Sequence, residues 1–241
     1  MSRPKTSIDW RTVALFIGLS LAVGLLWETP VVYPLKILVV FFHELSHGLM
    51  AILTGGEIVE IQVVAQQGGH CITIGGSRIL TLSAGYLGSL VWGCTILTLA
   101  ARTRLDRGIA VTLGVILLAV TASYLRPLAS FGFGFGIASS LALIFMGLKL
   151  SERICDMVLR LIGLTSCLYA VLDIKSDILD RPELRSDAAM LAEVTGLPTM
   201  FWGVLWISVA VITALAFLIF ASRTKEQDHL KTLLKRRASA K

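Results

Sequence analysis

Charge is what this chain has least of. Lys, Arg, Asp and Glu make up 16% of 241 residues, against about a quarter in a soluble domain. With 55% hydrophobic residues and a mean hydropathy of +0.79, this scarcity excludes a soluble globular enzyme and leaves no room for a large second domain. Cysteine is also sparse and follows no pattern. Cys71, Cys94, Cys155 and Cys167 form no Cys-x-x-Cys pair, and three lie in apolar runs where cysteine is a small core residue. They support no disulfide framework and specify no redox compartment. No small-x-small cleavage site follows the first apolar run at 13–27, so that run reads as an uncleaved membrane helix rather than a signal peptide. No repeat relates the two halves, which argues against a transporter bundle. The net charge of +6 does not point to nucleic acid. Much of it sits in the tail (Arg223, Lys225, Lys231, Lys235, Arg236, Arg237, Lys241), beside a last apolar segment, where basic residues face the cytoplasm and anionic lipid.

What is present is a series of apolar segments near the roughly 20 residues that a bilayer requires: 13–27, 33–55, 79–101, 108–125, 128–148, 154–172 and 199–221. The fold expected is an all-α polytopic membrane protein with about seven transmembrane helices. One domain covers 1–221 and a basic tail covers 222–241. The location expected is the cell membrane, with the lipid bilayer as constant partner. The bias of Lys and Arg places the C-terminus in the cytoplasm and, with seven spans, the N-terminus and the active-site end outside.

Residues 57–76 do not fit this pattern. Two β-branched runs flank Gln66-Gln67-Gly68-Gly69, which reads as a β-hairpin with a Gly-Gly turn. It is too short and polar to span, and is tolerated at membrane depth only under a cover of protein. In the third span Gly85, Ser89 and Gly93 recur at i, i+4, i+8, a small-residue face for packing on the second segment. Gly132-Phe133-Gly134-Phe135-Gly136 follows no strand, so it reads as a close helix crossing or a kink, not a nucleotide loop. Asp156 and Arg160 form an i, i+4 structural ion pair. Ser186 or Asp187 caps a short amphipathic helix that runs to Thr195-Gly196. Asp180, Glu183 and Asp187 are assigned to loop or cap roles.

The second segment holds the chemistry. It is almost wholly apolar, yet contains His43, Glu44 and His47 in the pattern His-Glu-x-x-His. Positions i and i+4 share a helix face, so both imidazoles reach one ion. Two histidines and a nearby carboxylate suit Zn²⁺, with Glu44 free as general base. In a soluble helix this pattern arises by chance. In lipid, three such side chains cost several kcal/mol unless they have a task. A catalytic zinc needs a third protein ligand. Asp173 is favoured, because it follows an apolar run and its segment runs in the same direction as the second. Asp177, one turn on, and His70 in the hairpin remain alternatives.

Together, the His-Glu-Leu-Ser-His-Gly helix, the Gly55-Gly56 break with its hairpin, and Leu82-Ser-Ala-Gly-Tyr-Leu-Gly-Ser89 resemble the site-2 protease group of intramembrane zinc metallopeptidases. They most resemble its compact branch without a PDZ domain. Leu172–Ile178 and Ser186-Asp187-Ala188 match that branch's C-terminal pattern, and the likeness covers about residues 33–206. The resemblance implies one zinc ion held by His43, His47 and Asp173, Glu44 as the base, and transmembrane proteins as substrates. The third ligand lacks the Asn/Pro-rich approach and the Asp-Gly of well-studied members: Asp173 is followed by Ile174, which leaves Asp173 against Asp177 open. The alternative function is an inactive metal-binding membrane adaptor or chaperone of the same fold.

Overall fold

The computed structural model describes residues 6–8, 10–180 and 185–225. Glu183 and tail residues 226–241 lie outside the described residues. The chain is mostly helical: α1 (Trp10–Leu25), α2 (Tyr33–Leu53), α3 (Arg78–Arg102), α4 (Asp106–Tyr124), α5 (Phe131–Lys149), α6 (Glu152–Lys175), α7 (Asp187–Thr195) and α8 (Thr199–Ser222). Strand β1 (Thr6–Ile8) pairs antiparallel with β4 (Arg223–Lys225), and β2 (Glu57–Val64) with β3 (Gly68–Ile74).

Among the described residues six helices, not seven, are long and apolar enough to cross a membrane: α2 to α6 and α8. The first segment forms a helix of 16 residues. At 1.5 Å per residue this is about 24 Å, short of the roughly 30 Å hydrocarbon layer. The pairing of β1 with β4 places residues 6–8 beside the end of α8. The two ends of the described chain therefore share a face, as an even number of spans requires.

The helix termini follow local chemistry. Pro34 stands in the first turn of α2, where its missing N–H is no loss. Ser130 caps α5 by accepting from Phe133 N at 3.1 Å, and Ser186 caps α7 by accepting from Ala189 N at 3.3 Å. Gly196, at φ 73°, ends α7 in the left-handed conformation.

Helix α2 is the axis of the molecule. Ile37, Phe41, Phe42 and Leu45 lie in one core cluster with Ile61 and Val63 of the hairpin, Leu113 and Leu117 of α4, Leu143 of α5, and Leu159 and Ile162 of α6. Helix α3 lies between α2 and α6 and packs through small residues, since lipid provides no hydrophobic drive between helices. Its small face serves both neighbours. Gly85 and Gly88 lie against α2, while Gly93 meets the Gly163 carbonyl and Cys167 of α6, and Ser166 Oγ donates to the Ser89 carbonyl at 2.7 Å. The glycine run of α5 provides close crossings, as expected: Gly132 lies on Val63 and Gly136 on Thr121. Arg160 Nε meets Asp156 Oδ1 at 2.6 Å within α6.

The hairpin forms, but its turn is Ala65–Gln67, with Gln67 at φ 63°; Gly68 and Gly69 belong to β3. It runs back along α2 and is tied to neighbouring protein at its turn and along β2, while Val59, Ile72 and Ile74 stay exposed. The Tyr33 hydroxyl donates to the Ala65 carbonyl at 2.7 Å and the Tyr169 hydroxyl to the Gln67 carbonyl at 3.3 Å. On its other side the Arg126 amide donates to the Ile61 carbonyl at 3.0 Å.

Candidate metal centre

The i, i+4 spacing puts both α2 histidines on the face turned to α3, with ring centroids 4.8 Å apart. They fit because α3 presents no side chain there. A Cβ on Gly85 would lie 2.6 Å from both His43 Cε1 and His47 Cε1. His47 Nδ1 lies 2.7 Å from the Thr81 carbonyl, one turn earlier in α3. A carbonyl only accepts, so Nδ1 carries the proton and a neutral His47 turns the bare lone pair of Nε2 inward.

What Nε2 faces is Asp187. Its Oδ2 lies 3.1 Å from His43 Nε2 and 3.2 Å from His47 Nε2, and all three groups are largely buried. A lone pair against a carboxylate oxygen in such a place calls for a cation between them. Donors around a tetrahedral zinc, each about 2.1 Å from the metal, stand about 3.4 Å apart. Two imidazole nitrogens and a carboxylate oxygen suit that ion both in kind and in spacing. His43, His47 and Asp187 are the group found among the described residues whose donor atoms all fall within 4.8 Å. Asp187 lies outside the spanning helices.

Asp173, favoured from the sequence, also approaches His43, but from the other side of the ring. Its Oδ2 lies 4.0 Å from His43 Nδ1, a buried nitrogen with no hydrogen-bond partner among the described residues. Asp177 accepts from the Tyr86 hydroxyl. His70 lies 3.8 Å from Glu60 on the half-exposed hairpin. The residue brought to both imidazoles is the one assigned to a cap. The cap itself is Ser186, which leaves the Asp187 side chain free to turn inward while Ala188 and Leu191, both fully buried, anchor the same face of α7. The sequence signal is Ser186-Asp187-Ala188, which matches the family pattern, although its aspartate reads there as a loop or cap residue.

Glu44 points from α2 toward the hairpin and is buried. A Cβ on Gly69 of β3 would lie 2.8 Å from Glu44 Oε1, so bare backbone passes directly over this carboxylate. His43, Glu44, His47 and Asp187 line one cavity of about 800 Å³. Its other walls are β3, the start of α3 and the end of α6, with Tyr86, Asp173 and Asp177 among its lining.

No curated protein and no solved structure matches this chain. A family model does match, over residues 16–217 and so over most of the length: the one described as Peptidase M50B-like, and the chain belongs to that family, the site-2 protease-like membrane peptidases that its second segment resembles.

Proposed function

We propose that this protein is a zinc-dependent endopeptidase that cuts membrane-embedded or membrane-proximal segments of other proteins. The observation that carries this reading is the meeting of His43 Nε2, His47 Nε2 and Asp187 Oδ2 in a cavity that also holds Glu44. His43 and His47 are two of the metal donors. Asp187 is the third in preference to Asp173, because its oxygen faces both metal-side nitrogens. Asp173 instead stands behind His43, its Oδ2 4.0 Å from Nδ1, beyond hydrogen-bond reach, and favours that imidazole as a nearby negative charge.

A zinc ion in such a site supplies a Lewis acid that polarises a carbonyl and acidifies water. Glu44 accepts the proton of the attacking water and delivers it to the leaving amine. The cover of hairpin and helices keeps Glu44 and the donors away from lipid. Helical carbonyls are already hydrogen-bonded, so the substrate segment must be extended to react. An edge of the β2–β3 hairpin is placed to hold it by strand addition.

The test is metal content and cleavage of a model membrane peptide by the purified full chain. Glu44→Gln is expected to retain one zinc and to lose cleavage by about 10²–10⁴-fold. Asp187→Ala is expected to lose stoichiometric zinc, and Asp173→Ala to weaken it by about 10–100-fold. A fully active Glu44→Gln protein refutes the mechanism. Zinc bound by a wild type that never cleaves favours the adaptor reading instead.

A further inference from the structure

We propose that Tyr86 is a positioning residue of the metal centre, tying the chain segment that leads to Asp187 to the histidine helix through its hydroxyl bond to Asp177. This rests on the metallopeptidase reading above.

Tyr86 follows Gly85, the position on which both imidazoles rest. Its ring meets that of His43 edge to face, with centroids 5.0 Å apart and planes at 84°. On another side it packs against Trp206 of α8 at 5.0 Å. The residue is 2% exposed. Its hydroxyl donates to Asp177 Oδ2, within the π-helical turn Ser176–Asp180 that ends α6. That turn leads into the connection to α7.

The same tyrosine belongs to the apolar cluster beneath α7. Leu82, Tyr86, Ile174, Ile178, Ala188, Leu191 and Trp206 pack together. Ile174 and Ile178 flank Asp177, and Ala188 follows Asp187. Tyr86 thus touches the ring of one metal donor and the turn before the connection, and shares an apolar cluster with the helix that carries another donor. Apolar packing holds α7 down but constrains sliding weakly. A phenol donating to a carboxylate at low dielectric is directional and strong. A donor set must be held within about 0.5 Å to bind one ion well. The hydroxyl supplies the direction that the cluster lacks.

The experiment compares wild type, Tyr86→Phe, Asp177→Asn and the double variant as purified full-length protein. Zinc affinity is read by chelator competition, coordination by the visible spectrum after Co²⁺ substitution, and folding by the melting temperature without metal. Tyr86→Phe keeps the ring and is expected to weaken zinc roughly 10–100-fold, the effect of an outer partner on a metal site. It is also expected to shift the cobalt bands while lowering the metal-free melting temperature by no more than about 10 °C, the cost of one buried hydrogen bond. Asp177→Asn is expected to do the same, and the double variant no more than either single one. A purely structural role would lower the melting temperature and leave the cobalt bands unmoved. Wild-type affinity and spectrum in Tyr86→Phe, strictly additive losses, or complete loss of zinc in Asp177→Asn alone would each overturn the proposal. Should either single variant fail to fold, the other decides by the same readouts. A wild type that binds no stoichiometric metal overturns the metallopeptidase reading, and this inference with it.

Discussion

Two glycines shape the site from opposite sides, and they make different predictions. Gly85 is the floor under both imidazoles, so a methyl group there collides with His43 and His47 together. Gly85→Ala is expected to lose stoichiometric zinc, read by metal analysis. Gly69 lies over Glu44, and the atoms nearest to a Cβ there belong to Glu44 and the Gln62 carbonyl. Gly69→Ala is expected to keep its zinc and lose turnover by up to about a hundred-fold, the cost of displacing a reacting group by an ångström or less. Loss of metal in Gly69→Ala would place the hairpin in the metal site and refute this division. Cys71, beside the same carboxylate, offers a pH test. Burial first, and Glu44 second, push its thiol up to about 12 from the ordinary 9.0. The thiolate is the reactive form, so alkylation of Cys71 below pH 9 is expected to be roughly a thousand-fold slower than that of a free thiol. The rate should climb with pH toward 12 rather than level off near 9. Site-resolved alkylation by mass spectrometry reads this directly.

At the scale of elements, the cap and glycine stop of α7 and the existence of the hairpin are legible in the sequence, because caps and β-branched runs act over a few residues. The exact turn of the hairpin is not. Gly68-Gly69 is the strongest turn signal in the stretch, yet it lies in β3, where close approach to Glu44 needs the absence of a side chain. Tertiary contact outweighed local turn preference. Helix α7 shows the same limit. As a capped amphipathic helix it is readable, but its work depends on docking through Ala188 and Leu191. Leu191→Ala is expected to cost about 2–5 kcal/mol of local or global stability. It should also weaken zinc, because Asp187 rides on this helix. Unchanged melting and unchanged zinc affinity would show that α7 is not what holds the aspartate.

At the scale of the molecule, this is a multi-pass integral membrane protein of the Peptidase M50B-like family. Among the described residues six helices reach membrane length, and β1 meets β4 at the end of α8. Both ends are therefore expected on one side of the membrane. Reporters fused before Met1 and after Lys241 should give the same compartment, and opposite compartments would restore a seventh span. The 16-residue α1 packs in the bundle through Phe16, beside Leu97 and Leu164, and Trp27, just past its end, lies near Tyr169.

The sequence by itself determined the membrane class, the hairpin, the His-Glu-x-x-His helix and the family, because hydropathy, period and a buried polar motif are local and costly to imitate. Only the tertiary structure decided which aspartate meets the histidines. Asp173, Asp177 and Asp187 are chemically alike and all lie near the end of the same helix or just beyond it. What separates them is the direction each carboxylate takes after a π-helical turn, a connection and a docked α7. That direction is set by packing between α3, α6, α7 and α8, which no local pattern encodes.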